Sequence, residues 1–228
     1  REGESHGADR EVLFGEQIRY TIEQHFRHQA RVADDGVKVL SLFFIDKVAN
    51  YAEADGVIRR LFQEHFDELK SLPEYEAWSE RSSDEVQAGY FSQKIRREGE
   101  VEWVETRSGE SKEDRAAYNL IMKDKEKLLQ FEEPVSFIFS HSALREGWDN
   151  PNVFQICTLN QTSSDMKKRQ EVGRGVRLCR NQIGDRVIDD SVNLLTVVAN
   201  ESYRTYVDKL QKEIEDEYGK EGVPPPPP

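Results

Sequence analysis

Nine consecutive residues, 37–45 (VKVLSLFFI), constrain the fold of this chain more than any other feature. The run is apolar at nearly every position, is rich in β-branched and aromatic side chains, and follows the turn residues Asp34, Asp35 and Gly36. A strand that is apolar at successive positions, rather than at every second one, is covered on both faces, as strands of parallel sheets are. The run therefore predicts a strand of a parallel sheet with helices on both sides.

Strands and helices alternate along the rest of the chain. The apolar spacing predicts helices over 10–33, 56–72, 111–131, 165–178 and 201–218, and strands over 37–45, 135–140, 153–159 and 192–198. Such alternation is typical of an α/β fold with a mostly parallel central sheet flanked by helices.

The length of 228 residues favours one domain with an insertion. We expect a helical lead-in over 1–36, the main domain over 37–218, and a proline-rich linker or tail over 219–228. Between about 73 and 113 the periodicity weakens, which predicts an insertion with a short hairpin near 100–106. Its aromatic residues are expected to form a small satellite core: Tyr75, Trp78, Tyr90, Phe91 and Trp103. The missing initial Met and the terminal prolines suggest a piece of something longer.

The charge balance limits the classes of partner. With 32 Lys and Arg against 44 Asp and Glu, the formal net charge is -12, so any contact with nucleic acid must be local. No run approaches the about 20 apolar residues that span a bilayer, and no signal-peptide core opens the chain. We expect a cytoplasmic protein, bacterial or archaeal, without membrane contact. The two cysteines, Cys157 and Cys179, lack metal-ligand spacing and favour buried reduced thiols over a disulfide or a metal site.

Two sequence blocks carry the chemistry. The first is a polar loop over 140–150 between two predicted strands, and it contains Arg145, Gly147 and Asp149. Loops at the carboxyl ends of parallel strands are where α/β folds place ligands. The second block follows the pattern QxxGRxxR: Gln170, Gly173, Arg174 and Arg177. On a helix, arginines three residues apart share one face, and two forked guanidinium groups suit an anionic ligand with several oxygens.

Simpler interpretations exist for each residue taken alone. Either arginine could be a surface ion-pairing residue, Asp149 a turn former, and Gln170 a solvated helix position. Trp148 could stack on a base or pack the loop against the sheet, and His141 favours a structural hydrogen bond over a general-base role. The basic stretch is either a solvated face or a phosphate contact: Lys167, Lys168, Arg169, Arg174, Arg177 and Arg180.

The two blocks together resemble a known family. QEVGRGVRL looks like motif VI of superfamily-two helicases, and the RxGxD core of the first block looks like motif V. Two longer sequences are similar to the restriction (Res) subunits of type III restriction-modification enzymes. They are SHSALREGWDNPNVFQI, which contains the first block, and the earlier LSLFFIDKVANY. The likeness covers roughly 37–195 and implies the second RecA-like domain of a DNA-dependent ATPase motor.

The resemblance implies a role for each matching residue. Arg174 and Arg177 would be arginine fingers that stabilise charge on a γ-phosphoryl group, and Gln170 would assist at the phosphates. Gly147, Asp149 and Gly173 would contact the nucleotide. Arg145 and Trp148 would face DNA. The implied cofactors are ATP and Mg²⁺, and no residue of this chain is predicted to bind a metal.

Parts of that motor are missing from the sequence. It contains neither a GxxxxGK[ST] phosphate loop nor an Asp-Glu motif for Mg²⁺, so ATP and Mg²⁺ would be bound mainly by a first motor domain. The implied partners are duplex DNA, that first RecA-like domain, a nuclease domain of the same parent chain, and a modification (methyltransferase) subunit. The fragment alone is predicted to be inactive. Alternatives are a helicase-like ATPase of another defence or repair system, or a non-catalytic RecA-like interaction module.

Overall fold

The computed structural model describes residues 2–53, 55–95, 101–104, 112–141, 150–160, 173–175, 177–198 and 212. Five α-helices are present in these ranges: α1 (Glu2–Val32), α2 (Ala49–Ala52), α3 (Val57–Lys70), α4 (Lys112–Met122) and α5 (Lys125–Leu128). A 3₁₀ helix covers Pro73–Trp78. The strands are β1 (Leu40–Phe44), β2 (Gln87–Gly89), β3 (Ser92–Ile95), β4 (Val101–Val104), β5 (Phe137–Ser140), β6 (Val153–Thr158) and β7 (Thr196–Val198).

The central sheet has five parallel strands in the order β2-β5-β1-β6-β7. Strand β1 lies in the middle, where Leu42 pairs with Ile138 on one side and with Ile156 on the other. Every residue of β1, β5 and β6 is buried. The parallel sheet predicted from residues 37–45 is therefore confirmed, and all of its strands run in the same direction.

Helices cover both faces of the sheet, and the alternation of β1 shows how. Phe43 packs into the layer formed by α1 and α3, whereas Leu42 and Phe44 pack into the opposite layer with α4 and α5. Since both faces are buried, neither the odd nor the even positions of the strand can be polar without cost. This arrangement is the α/β architecture expected from the sequence.

Helix α1 lies against the sheet along an apolar stripe at helical spacing. Ile18, Ile22 and Phe26 on that stripe are almost completely buried. The helix ends at Val32, and Gly36 follows with φ +66, a left-handed conformation that glycine adopts without strain. The backbone N–H of Gly36 donates to the carbonyl of Ala33 at 2.9 Å, which closes the turn into β1.

The mid-chain region contains a separate element and also contributes to the main sheet. Strands β3 and β4 form an antiparallel pair of their own, consistent with an insertion that carries a hairpin. Strand β2, however, joins the edge of the central sheet beside β5. The expected satellite core is wrong for four of its five aromatic residues, because Tyr75, Trp78 and Phe91 pack into the main core on the α1 side and Tyr90 into the core on the other face. The fifth, Trp103, has a side chain outside the described part of the structure.

Two helix predictions need correction or fall outside the described ranges. The helix expected over 111–131 is two helices, since Asp124 between α4 and α5 has φ -98 and ψ 48, outside the helical region. Residues 201–218 lie outside the described ranges apart from Lys212, which is helical. In the ranges that the structure describes, no helix combines the length and apolarity needed to cross a bilayer.

Candidate functional site

Two buried asparagines organise the amino-terminal edge of the central sheet. Asn150 and Asn152 precede β6 and are both fully buried. The Asn152 side-chain amide donates to the carbonyls of Lys38 at 2.9 Å and Arg180 at 2.8 Å, and its Oδ1 accepts from the N–H of Arg180 at 2.8 Å. These bonds fasten the segment around Arg180 to the start of β1 and β6, and they satisfy polar groups that burial would otherwise leave unpaired.

Residues 179–187 form a short ribbon that turns back on itself. The N–H of Val187 donates to the carbonyl of Cys179, and the N–H of Asn181 to the carbonyl of Asp185, both at 3.0 Å. At the turn, Gly184 has φ +90, and the Asn181 side chain accepts from the N–H of Asp185 at 2.9 Å. An Asn side chain that bonds the backbone in this way and a glycine at positive φ are both favourable in a tight turn.

A cleft of about 360 Å³ lies between this ribbon and helix α5. Its lining contains four cationic side chains, one carboxylate and three apolar side chains: Lys125, Glu126, Leu129, Pro151, Arg177, Leu178, Arg180 and Arg186. Arg177, Arg180 and Arg186 are exposed, as is Leu178, whereas Leu129 is buried. A rim of exposed cationic side chains suits an anionic ligand, because the guanidinium groups supply several forked donors.

The arginines of the QxxGRxxR pattern lie at this end of the sheet. Arg177 lines the cleft, and Arg174 is half-buried outside the lining. Residues 165–172 of the helix predicted over 165–178 lie outside the described ranges. The prediction is wrong over the part that is described, because residues 173–175 form a turn and Arg177 is not helical either. Their three-residue spacing therefore does not place the two arginines on a common helix face.

Of the other site residues predicted from the sequence, the structure describes only Gly173. Gly173 is exposed in the turn. Gln170, Arg145, Gly147, Trp148 and Asp149 lie outside the described residues, so their roles stay predictions. The candidate site was expected at the carboxyl ends of the strands, but the cleft that Arg177 lines is next to Pro151, at the amino end of β6.

Gly175 is the closely packed glycine of this segment. A Cβ at this position would overlap Cδ1 of Leu195 and lie 3.1 Å from the carbonyl oxygen of Val153 at the start of β6. Gly173, and not Gly175, is among the candidate site residues predicted from the sequence. The GRG spacing contains a second glycine that could have suggested this position, but only the packing distinguishes the two.

Sequence reasoning also missed Lys125 and Arg186 as members of the cleft. Both are separated from the QxxGRxxR pattern in the sequence, and they reach it through helix α5 and through the ribbon. A local pattern cannot reveal such neighbours. Within the described ranges, no group of three or more His, Cys, Asp or Glu could hold a metal ion.

A second polar cluster is buried between α1 and the sheet. Nδ1 of His25 lies 2.8 Å from Oγ of Ser41, which donates to Oε1 of Gln155 at 2.9 Å. Burial is the main cause that lowers the pKa of His25 well below its usual value, so the imidazole is neutral at pH 7. All three side chains are almost completely enclosed, which makes the cluster part of the core and not a surface for substrate.

The two cysteines are free and buried, as the sequence predicted. Burial raises the pKa of Cys157 to about 12 and that of Cys179 to about 11. Because the thiolate is the reactive form, neither thiol is a nucleophile near neutral pH.

The fold and the cleft together define a class of protein. A five-stranded parallel sheet with helices on both faces is an α/β fold of the RecA-like kind, and its candidate site is a cationic cleft at one edge of the sheet.

Comparison with known proteins narrows the class. No family model matches the sequence. The Res subunits of the type III restriction-modification enzymes EcoPI, from Escherichia phage P1, and EcoP15I, from Escherichia coli, are each 34% identical over 81% of this chain. The StyLTI Res subunit from Salmonella typhimurium is 36% identical over 66% of the chain. The chain spans only 17–19% of the length of these relatives. It belongs to the family of type III restriction-modification Res subunits, of which it represents a segment.

Proposed function

We propose that this segment is the second motor domain of a DNA-dependent ATPase and translocase in a cytoplasmic type III restriction endonuclease. The observation that carries the proposal is the position of Arg177, on the cationic rim of a cleft at the edge of a RecA-like sheet. Membership in the Res family supports it. In this role the chain contributes half of an ATP site, and a first RecA-like domain contributes the phosphate loop and the Mg²⁺ ligands.

The chain's own residues would act on charge in the transition state. Arg177 is exposed at the cleft and can extend its guanidinium group towards a phosphate held by a facing domain. Arg174 is half-buried, so it is better placed to support this segment or to act over a shorter reach. A guanidinium group that meets the γ-phosphoryl group only as negative charge develops lowers the barrier without tightening ground-state binding. Gln170, Gly147, Asp149 and Gly173 would complete the nucleotide contacts.

Contact with duplex DNA is proposed for Arg145 and Trp148, which belong to the same sequence segment, 140–150, as Gly147 and Asp149. Because the whole chain carries a net charge of -12, this contact must be confined to a small area. A modification subunit would recognise the target sequence, and a nuclease domain of the same parent chain would cut the DNA.

The decisive experiment replaces Arg177 in the intact parent enzyme. An arginine finger contributes on the order of 10³ to 10⁵ in turnover, so Arg177→Ala should lower DNA-stimulated ATP hydrolysis by at least about two orders of magnitude. Arg177→Lys should lose nearly as much, because an ammonium group cannot reproduce the planar fork. Affinity for ATP and the melting temperature should change little.

Arg31→Ala is a matched control, since Arg31 is also an exposed arginine and lies in the last turn of α1, outside the cleft. Its turnover should equal that of the wild type. If Arg177→Ala keeps nearly full turnover, the finger role is wrong and the alternative of a non-catalytic interaction module is favoured. A fall in turnover that accompanies a fall in melting temperature would make Arg177 structural.

A further inference from the structure

The ribbon of residues 179–187 holds two arginines directly opposite each other. Arg180 and Arg186 are antiparallel bridge partners, so their side chains leave the same face of the ribbon. Directly opposite residues have Cβ atoms only about 4.5–5.5 Å apart, and like charges in such a pair are destabilising. Both side chains are exposed and both line the cleft.

Carboxylates do not neutralise this pair within the described ranges. Neither guanidinium group of the pair forms an ion pair there, and Glu126 is the one acidic side chain among the lining residues that the structure describes. Asp189, which follows the ribbon, accepts instead from the N–H and Oγ of Ser191 at 2.7 and 2.6 Å. Among the described lining residues, cationic side chains thus outnumber carboxylates on a chain that is acidic overall.

The ribbon is also fastened, which prevents the two charges from separating by a backbone shift. Asn152 holds Arg180 through its side-chain amide and carbonyl. The Gln182 amide donates to the carbonyl of Leu129 at 2.8 Å, and its Oε1 accepts from the N–H of Phe131 at 3.0 Å. Gln182 thus joins the ribbon to the chain segment that follows α5. Four hydrogen bonds, three of them half-buried, keep an electrostatically unfavourable pair in place.

We propose that Arg180 and Arg186, with Lys125 across the cleft, bind phosphoryl groups of a nucleotide or of a nucleic-acid backbone. Two forked guanidinium groups side by side can donate to several oxygens of one phosphate, and the bound charge removes their mutual repulsion. Leu129, which is buried, lines the same cleft and offers an apolar wall beside the phosphate. This binding requires neither ATP hydrolysis nor a finger role for Arg177.

The test uses the 228-residue chain and three probes: pyrophosphate, ATP and a short duplex DNA. The double variant Arg180→Gln with Arg186→Gln should bind at least one of these three probes at least about tenfold more weakly than the wild type does, since charge-assisted hydrogen bonds are lost. For DNA, the slope of log affinity against log salt should become shallower by about 2, one for each lost phosphate contact. The ligand should raise the melting temperature of the wild type more than that of the variant.

Two further double variants test whether weaker binding comes from the loss of this site, from the loss of positive charge in general, or from misfolding. Arg31→Gln with Lys47→Gln removes two exposed positive charges outside the cleft and should bind as the wild type does. Arg180→Lys with Arg186→Lys keeps both charges but loses the forks, and it should bind pyrophosphate more weakly than the wild type. Without ligand, the Gln double variant should melt no lower than the wild type, because repulsion is removed.

The probes also identify the source of the phosphate. If the Gln double variant binds only ATP and pyrophosphate more weakly, the natural ligand is a nucleotide. If it binds only DNA more weakly, the natural ligand is the nucleic-acid backbone. Equal binding of all three probes by the wild type and the Gln double variant would overturn the proposal, as would a wild type that binds none of them. A lower melting temperature of the ligand-free variant would instead make the arginines structural. If Arg177→Ala keeps its ATP turnover, the proposed motor function is contradicted, but the proposed phosphate site at Arg180 and Arg186 is not.

Discussion

At the scale of single residues, the side chains differ most in how burial changes their protonation. Burial lowers the pKa of Lys38 to about 7 and that of His28 to about 4. The Lys38 ammonium group donates to the carbonyl of Glu133, which offsets part of the cost of burying a charge. His28 packs against Phe154 and has Arg31 nearby, and both burial and that charge favour the neutral imidazole.

Acid should destabilise the chain through His28. Its pKa is about 4 in the folded state against 6.5 when unfolded, so the unfolded chain binds more protons between these values. The contribution of the neutral imidazole to the free energy of unfolding should be fully present above pH 6.5 and should fall as the pH drops towards 4. We would measure the melting temperature across this range for the wild type and for His28→Gln.

The variant should lose less stability on acidification than the wild type, because Gln has no charge to bury. His65→Gln is a control, since His65 is a half-buried histidine of α3, an element separate from the α1 site of His28. Parallel pH curves for the wild type and His28→Gln would exclude this imidazole as the source. His25 should add to the effect in the same direction, because burial also lowers its pKa.

At the scale of elements, the turn at residues 173–175 depends on close contact with the sheet. Gly175 lies against Leu195 and the first residue of β6, Val153. A side chain there would have to displace Leu195, whose partly buried side chain packs beneath the sheet with the α4 and α5 layer. The position of Arg177, two residues further on, therefore depends on the close packing of this glycine.

Gly175→Ala should destabilise the chain by about 1–3 kcal/mol, the usual cost of overpacking a close contact. Gly173→Ala is the matched control, since Gly173 is exposed in the same turn, and it should cost much less. Urea unfolding of both variants gives the comparison. If Gly175→Ala unfolds at the same urea concentration as Gly173→Ala, the contact with Leu195 is not tight in solution.

At the scale of the whole molecule, the chain provides one side of a proposed two-domain ATP site. The sequence has cations at a cleft but no GxxxxGK[ST] loop to enclose the β- and γ-phosphates. Such a half-site can bind a phosphate through its arginines without being able to activate the attacking water.

The isolated chain is therefore expected to fold and to release no phosphate from ATP above background, even with Mg²⁺ and DNA. Phosphate release would be measured on chain purified to homogeneity. A sample in which Arg177→Ala is introduced serves as control, because any contaminating ATPase would be unaffected by it. Robust turnover that this substitution abolishes would contradict the half-site interpretation.

The sequence by itself determined the layered architecture, because its signals are local. A strand that is apolar at successive positions, such as residues 37–45, must be covered on both faces wherever it is placed. The apolar stripe of α1 and the glycine that ends the turn after it are equally local. For the same reason the likeness to Res subunits was visible in short, ordered motifs, and comparison with known proteins confirmed that family.

Only the tertiary structure decided which residues form the cleft and where it lies. Lys125, Arg177 and Arg186 come from separate segments, and the ribbon that carries Arg186 is held by Asn152 and Gln182 through hydrogen bonds between residues distant in the sequence. The turn at residues 173–175, where helical periodicity predicted a helix, likewise has Gly175 packed closely against Leu195 and Val153. Local patterns specify which faces are buried, but the meeting of distant side chains depends on how the whole chain closes around its core.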